Sequence, residues 1–512
     1  MHSRARTFTM LGVEARPVEV EVDVRKGLQS FSLVGLPDAA VRESRERVHA
    51  AIDNCSFEFP KQRITASLAP ADLPKAGPAF DLAIAAAVLV ATNQLVASAL
   101  EDCALAGELA LDGSIRPVAG ILAMAERARS LGLAKIAVPA ENAQDAALGT
   151  SFAANGSGRT AAPKVVPLER LEQLPLIDTD GEPPPPTAPG LGRGPTDQEL
   201  PDLADLRGQP YLRFALEVAA AGGHGLLVTG PPGAGKSMAA QRLPSILPSL
   251  GDAEAIDVLR IASATGRRVD WDRVGTRPFR APHHTISSAG LVGGGSPPRP
   301  GEVTLAHRGV LFLDELPEFS RDALEALRQP MEEGRVTITR ARNSIELPSR
   351  FMLVAAANPC PCGHGPTSRE CECTPAAIRR YSARLSGALA DRVDISLQVE
   401  QPGAEVMRGP PGERSDAVRD RVVAARERQE HRLGRGRCNA EMTPAELRRQ
   451  LHLDPEAQEA IASGHQRLRL SGRGYDRVLR LARTLADLDG SNRVASGHVA
   501  QALSLRRPGG LE

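Results

Sequence analysis

The sequence predicts an α/β protein in three parts. An N-terminal α+β domain (1–175) is followed by a linker (176–205), a central α/β domain with a parallel sheet (206–405) and a C-terminal helical region (406–512). Three observations carry this reading. The apolar run Leu226-Leu-Val228 leads into Gly230-Pro231-Pro232-Gly233-Ala234-Gly235-Lys236-Ser237, the G-x-x-x-x-G-K-S pattern of a phosphate-binding loop set between a strand and a helix. A second apolar run, Gly309-Val-Leu-Phe-Leu, ends in Asp314-Glu315. The stretch 176–201 (LIDTDGEPPPPTAPGLGRGPTDQELP) is rich in Pro and Gly with almost no apolar periodicity, so it reads as a semi-extended linker.

Composition bounds what the chain can be. With 512 residues there is room for about three domains. The 62 basic and 62 acidic side chains balance, so no global field attracts nucleic acid or membrane, and any such contact must come from local patches. No apolar run approaches the roughly 18 residues of a membrane span. The start, MHSRARTFTMLG, lacks a signal-peptide core, and the seven cysteines do not suggest a secreted disulfide framework. A soluble cytoplasmic protein is expected.

In chain order, Val18 to Val24 alternates strictly and predicts a half-buried strand. Phe31–Leu36 predicts a second strand closed by Pro37, with Asp38 as the N-cap of the helix that follows. Arg63–Leu68 is a third strand, and Asp81–Ala91 is so apolar that its helix must be buried. Gly107–Gly113 reads as a hairpin around an Asp-Gly turn, followed by a helix over Gly120–Leu131 and a strand over Lys135–Val138. Pro74-Lys-Ala-Gly-Pro-Ala79 and the stretch 107–142 resemble the proteolytic domain of Lon. That resemblance implies a nucleophilic serine and a lysine base at positions that here hold Ala79 and Leu122. Neither side chain can act as nucleophile or base, so a Lon-like fold without peptidase activity is expected, used for assembly or substrate contact. Lys75, without a paired serine, reads as a surface charge.

The central domain carries the chemistry. Glycines let the loop backbone curl its N–H groups toward phosphates, Lys236 reaches the β- and γ-phosphates, and Ser237 ligates Mg²⁺. Asp314 is placed to hold the Mg²⁺ through water, and Glu315 to orient and deprotonate an attacking water. Phe351–Ala357 is a further apolar strand that ends in Asn358. The segment Arg277 to Glu302, with His283 and His284, is too rich in Gly and Pro to be one helix and reads as a projecting loop or broken hairpin. No carboxylate stands at ligand spacing from the histidines, so a structural or phosphate-contacting role is expected for them. Arg335–Pro348 reads as two alternating strands around a basic tip, where Arg340 and Arg342 either track a DNA backbone or are simply solvated. Cys360, Cys362, Cys371 and Cys373 fall within fourteen residues. That count matches a closed structural zinc site, with labile thiols or a disulfide as the alternative to the tight C-x-C spacing. Cys55, Cys103 and Cys438 read as packing residues.

This domain resembles AAA+ ATPases. The resemblance implies that Asn358 positions water and senses the γ-phosphate, the alternative being a strand-end cap. It implies that Arg392, in Ala388-Leu-Ala-Asp-Arg-Val-Asp394, is an arginine finger of the magnesium-chelatase type, the alternative being a surface ion pair; Arg384 is a weaker candidate. It also implies that Arg473 is a second phosphate-sensing arginine at the start of a lid helix. A finger acts on the neighbouring subunit's site, so a ring would be required. GLPDAAVRESRERV (35–48), FRAPHHTIS (279–287), LAHRGVLFLDELPEF (305–319), AANPCPCG (356–363) and CNAEM (438–442) together resemble the ComM/YifB family of bacterial magnesium-chelatase-like AAA+ ATPases. The family resemblance implies ATP and Mg²⁺ as ligands and a homo-oligomeric, hexameric DNA translocase. It further implies promotion of branch migration during natural transformation. The alternative is a chelatase-type motor that remodels a protein partner, against which the N-terminal domain is read as an argument.

Overall fold

In the computed structural model the described residues are 1–152, 161–178, 200–267, 270–295, 298–340, 343–365, 370–385 and 392–506. They fall into two compact units: Met1–Gly190 with 259–271 and 296–299, and Leu191–Val258 with 272–295 and 300–512.

The first unit is built on one seven-stranded sheet. Its strands are β1 (His2–Leu11), β2 (Glu14–Arg25), β3 (Ser30–Val34), β4 (Arg63–Ala69), β5 (Cys103–Leu105), β8 (Lys135–Pro139) and β9 (Lys164–Leu168), in the order β3-β4-β2-β1-β5-β8-β9. The sheet is mixed. β1, β2 and β4 pair antiparallel, while β3 joins β4 and β5, β8 and β9 follow β1 in parallel. Strict alternation in β2 buries Val18, Val20, Val22 and Val24 on one face, as period-2 geometry requires. Asp38 caps the helix Ala39–Asp53 by accepting from the Val41 N–H at 2.8 Å. The helix Asp81–Ala91 buries every residue but Val90. The Asp-Gly hairpin forms from β6 (Glu108–Leu109) and β7 (Ile115–Arg116).

Two features of this unit depart from expectation. β1, β5, β9 and the helix Ala143–Ser151 carry no strong periodic signal and were not anticipated. Lys75 is not a surface charge. It is 1% exposed, its ammonium donates to the Pro70 carbonyl, and burial lowers its pKa. Ala79 and Leu122 are both buried.

The second unit has a wholly parallel sheet. Its strands are β10 (Leu226–Thr229), β11 (Phe279–Arg280), β14 (Val310–Leu313), β17 (Met352–Ala357) and β18 (Ile395–Gln398), ordered β11-β14-β17-β10-β18. All residues of β14 and β17 are buried, as strands covered on both faces must be. The segment after β11 is a broken one: a loop, the helix Ser288–Val292, and the two-residue strands β12 (Gly293–Gly294) and β13 (Arg299–Pro300). The basic hairpin forms from β15 (Arg335–Arg340) and β16 (Asn343–Pro348), closing with Arg340 opposite Asn343. Arg342 lies outside the described residues. The C-terminal part is helical, with Ser415–Leu433, Pro455–Leu468, Gly472–Leu488 and Ser496–Ser504 contributing Val422, Ile461, Leu481 and Val499 to the same apolar core as the sheet. No helix among the described residues is long and apolar enough to cross a membrane.

Candidate functional site

Parallel pairing brings the C-terminal ends of β10, β14 and β17 side by side, so the residues just after these strands share one edge. After β10 the chain turns through the phosphate loop. Gly233 (φ 77°) and Gly235 (φ 84°) adopt left-handed backbone there. A Cβ on Gly230 would stand 2.5 Å from the Val399 carbonyl oxygen, so only glycine fits that approach. The helix Lys236–Ile246 begins at once, aiming its positive end at the loop. Gln209 holds the loop from outside, donating from Nε2 to the carbonyls of Ala234 (3.1 Å) and Glu400 (2.6 Å).

The polar groups converge within the loop. Lys236 Nζ donates to the Gly230 carbonyl (2.6 Å), the Pro231 carbonyl (2.9 Å) and Asn358 Oδ1 (3.1 Å). Burial lowers its pKa, opposed by the carboxylates of Asp314 and Glu315. Ser237 Oγ donates to Asp314 Oδ2 at 2.6 Å. Glu315 sits in left-handed backbone (φ 50°, ψ 47°), strain of about 1–3 kcal/mol for a non-glycine residue. Its own N–H donates to Asp314 Oδ1 at 2.9 Å. The arrangement is an ammonium, a hydroxyl–carboxylate pair, a carboxylate and an amide gathered around a glycine loop at a helix N-terminus. Such a donor set fits a nucleotide phosphate chain with a divalent cation. The hard oxygens of Ser237 and Asp314 suit the cation and Lys236 suits the phosphates.

His284, expected to have a structural or phosphate-contacting role, lies at this site. Its Nδ1 stands 3.4 Å from Glu315 Oε2, and its ring lies 4.1 Å from that of His283, centroid to centroid. No carboxylate stands at ligand spacing from the histidines in the sequence, yet the fold supplies one. The partner lies 31 residues on and meets His284 only because β11 and β14 are neighbours in the sheet. Arg384 donates to the Pro317 carbonyl at 3.0 Å, two residues past Glu315.

Arg392 and Arg473 are elsewhere. Both line a cavity of about 760 Å³ at the N-terminal ends of the strands, beside Gly225, Gly309 and Asp394. Each of β10, β14 and β18 spans four residues, about 13 Å, which separates this cavity from Lys236. Arg392 donates from Nε to Glu332 Oε1 at 3.1 Å, and Arg473 Nη1 lies 4.0 Å from the same oxygen. Arg392 thus forms the ion pair weighed as its alternative role, and that pair holds Glu332 below the usual carboxylate range. Further basic side chains, including Arg277, Arg308, Arg426 and Arg477, line the cavity.

The four clustered cysteines also come together. Their sulfurs all lie within 4.8 Å of one another, and each is a free thiol.

A family model described as magnesium chelatase, subunit ChlI, matches residues 202–407, and models for a ChlI subunit and for the ChlI C-terminal region match 20–142 and 412–506. The chain is 42% identical over 515 residues to the uncharacterized protein YifB of Escherichia coli, covering 99% of this chain and 96% of that one. It is 42% identical over 506 residues to the competence protein ComM of Haemophilus influenzae, covering 97% and 96%. The chain belongs to the ComM/YifB family of magnesium-chelatase-like proteins. An uncharacterized relative from Mycobacterium tuberculosis is 44% identical over 515 residues, covering 99% of both chains. Membership carries the AAA+ type of the central domain. It also removes one argument. The model matching 20–142 is itself described as a chelatase subunit, so the N-terminal domain does not set this chain apart from chelatase motors.

Proposed function

We propose that this chain is an ATP-hydrolysing ring motor that moves DNA, and that it promotes branch migration and the integration of incoming strands. The observation that carries the ATPase reading is the meeting of Lys236, Ser237, Asp314 and Asn358 through direct hydrogen bonds, with Glu315 adjoining them. Bound Mg²⁺, held by Ser237 and through water by Asp314, would draw charge from the phosphate oxygens. The loop N–H groups and Lys236 bind the triphosphate. Asn358 and Glu315 orient a water in line with the γ-phosphate, and the Glu315 carboxylate takes its proton. His284, beside Glu315, steadies that carboxylate in the position its strained backbone sets.

The placement of Arg392 and Arg473 supports a shared active site. They line a cavity at the N-terminal ends of strands about 13 Å long, whereas the chain's own Lys236 lies beyond the C-terminal end of β10, so as phosphate-contacting groups they would serve a neighbouring subunit. That arrangement favours a closed ring, and a hexamer follows the family expectation. The DNA reading leans on the relative named a competence protein and on the basic β15–β16 hairpin. The absence of a serine and a lysine at Ala79 and Leu122 argues against peptidase activity.

The test is ATP turnover with and without branched, single-stranded and duplex DNA. Stimulation by DNA, strongest with branched forms, is expected. Replacing Arg340 and Arg342 by Ala should weaken DNA binding and flatten its dependence on salt. Basal turnover indifferent to every DNA would instead favour the chelatase-type reading, in which the ring remodels a protein.

A further inference from the structure

We propose that Cys360, Cys362, Cys371 and Cys373 bind one zinc ion as a closed tetrathiolate, and that this knot fixes the phosphate loop and Asn358 in their working positions. The first part stands on the geometry of the sulfurs. A tetrahedral site with Zn–S bonds of about 2.3 Å requires S···S separations of about 3.8 Å. Here Cys360 and Cys371 are 3.8 Å apart, Cys362 and Cys371 3.7 Å, and Cys360 and Cys362 3.3 Å. A disulfide would need about 2.05 Å and would leave the other pair apart. Backbone N–H groups already point at the sulfurs, from Cys362 to Cys373 (3.4 Å) and from Gly365 to Cys360 (3.3 Å). Amides donating to sulfur stabilise thiolate charge and orient a ligand, as outer-shell partners do in metal sites.

The second observation is the poverty of the segment. From Pro359 to Thr374 (PCPCGHGPTSRECECT) there is no Leu, Ile, Val, Met, Phe, Tyr or Trp side chain. Such a stretch buries little apolar surface of its own, and a metal would supply cohesion that burial does not. With four protein ligands the site has no open position, which makes it structural rather than catalytic.

Its position gives it a consequence. Cys360 is buried and lies two residues past Asn358, whose amide oxygen accepts from Lys236. Gly363 lies against the phosphate loop so closely that a Cβ there would be 3.0 Å from the Pro232 ring. On the other side, Thr374 follows Cys373 directly and caps the helix Pro375–Leu385, with Oγ1 accepting from the Ala377 N–H at 3.2 Å. That helix carries Tyr381, hydrogen-bonded to the Asn358 backbone, and Arg384, which holds the turn after Glu315. One ion would therefore tie the loop, the strand-end amide and the turn of the catalytic carboxylate together. This coupling rests on the ATPase reading; the metal site itself does not.

The experiment begins with the full chain purified without chelator, its metal measured by mass spectrometry. About one zinc per chain is expected. Cobalt exchanged into the site should give the visible d–d and thiolate charge-transfer bands of a tetrahedral S4 centre. Cys371→Ser with Cys373→Ser should lower bound zinc roughly tenfold or more, and weaken binding of a fluorescent ATP analogue roughly tenfold. Background metal in the wild-type chain after incubation with zinc, or disulfide-linked peptides in its place, would overturn the site without any variant having to fold. Full zinc content with the same nucleotide affinity before and after chelation would overturn the coupling. Full zinc with no nucleotide binding in any form would uphold the metal site and remove the ATPase reading instead.

Discussion

Single residues do most of the chemistry proposed for this protein, and their substitution separates binding from turnover. Lys236 is held by three oxygens inside the loop, so it is already in place for phosphates that would displace those contacts. Lys236→Ala should abolish nucleotide binding in an equilibrium titration, and ordinary affinity in that variant would sink the assignment of the loop. Glu315→Gln keeps the size and the backbone but cannot accept a proton. It should bind ATP and turn it over at least roughly a hundredfold more slowly, since general-base removal costs on that order. Undiminished hydrolysis would remove Glu315 as the base. At this scale much of the candidate site is legible in the sequence. The spacing of Gly230, Gly235, Lys236 and Ser237 is a local property, and so is a carboxylate pair at the end of an apolar strand. Gln209 and the contact of His284 with Glu315 were not legible, because each arises from a fold contact rather than a motif.

Elements carry the stability that keeps those residues in place, and two of them can be tested. The helix Asp81–Ala91 begins with a carboxylate that is fully buried and held by Arg47 at 2.6 and 3.1 Å. Desolvation raises the Asp81 pKa, and the Arg47 hydrogen bond opposes it. Arg47→Ala leaves that charge buried and unpaired, and should cost about 3–5 kcal/mol in denaturant unfolding. The helix Ala143–Ser151 carries Asp145, whose pKa desolvation pushes up to about 6. A carboxyl with a raised folded pKa binds its proton more tightly in the native state. Native stability is therefore favoured at low pH and falls as pH rises from about 4 to about 6. Asp145→Asn should then stabilise the protein at pH 7.5 by on the order of 1 kcal/mol, allowing for the partial exposure of the group. The gain should vanish near pH 4, and a gain independent of pH would exclude this cause.

At the scale of the whole molecule, the decisive observation is that the candidate phosphate-binding groups and the candidate finger arginines lie at opposite ends of the strands of one sheet. If those arginines act as fingers, as proposed above, each site is completed by a neighbouring chain and activity becomes a property of the assembly. Arg392→Ala should lose turnover by about 10³-fold or more while retaining ATP binding. Mixing it with Lys236→Ala chains should recover part of the turnover, because some interfaces then pair an intact loop with an intact Arg392. Recovery is measured as turnover against mixing ratio, and a mixture no more active than either parent would place Arg392 in its own chain's site. The ion pair with Glu332 gives this prediction a structural partner. The arginine must leave, or share, that carboxylate to reach a phosphate, so Glu332→Gln should change turnover without changing the loop.

What the sequence determined by itself was the class of chemistry and the kinds of element. Glycine spacing, apolar runs that end in carboxylates, and strict alternation in Val18–Val24 are local patterns, and they dictate local structure whatever surrounds them. The cysteine count belongs with them, since four thiols within fourteen residues announce a cluster. Tertiary structure alone decided which of these local pieces meet. Parallel pairing of β10, β14 and β17 brings Asn358 to Lys236 and Asp314 to Ser237, while Arg392, before β18, and Arg473, on the helix Gly472–Leu488, meet at the strands' N-terminal ends. Lys75 makes the same point from the other side. Its charge reads as exposed in the chain, yet the turn at Pro70 offers it a carbonyl and the fold closes over it. Burial is a sum over distant neighbours, and no window of sequence contains them.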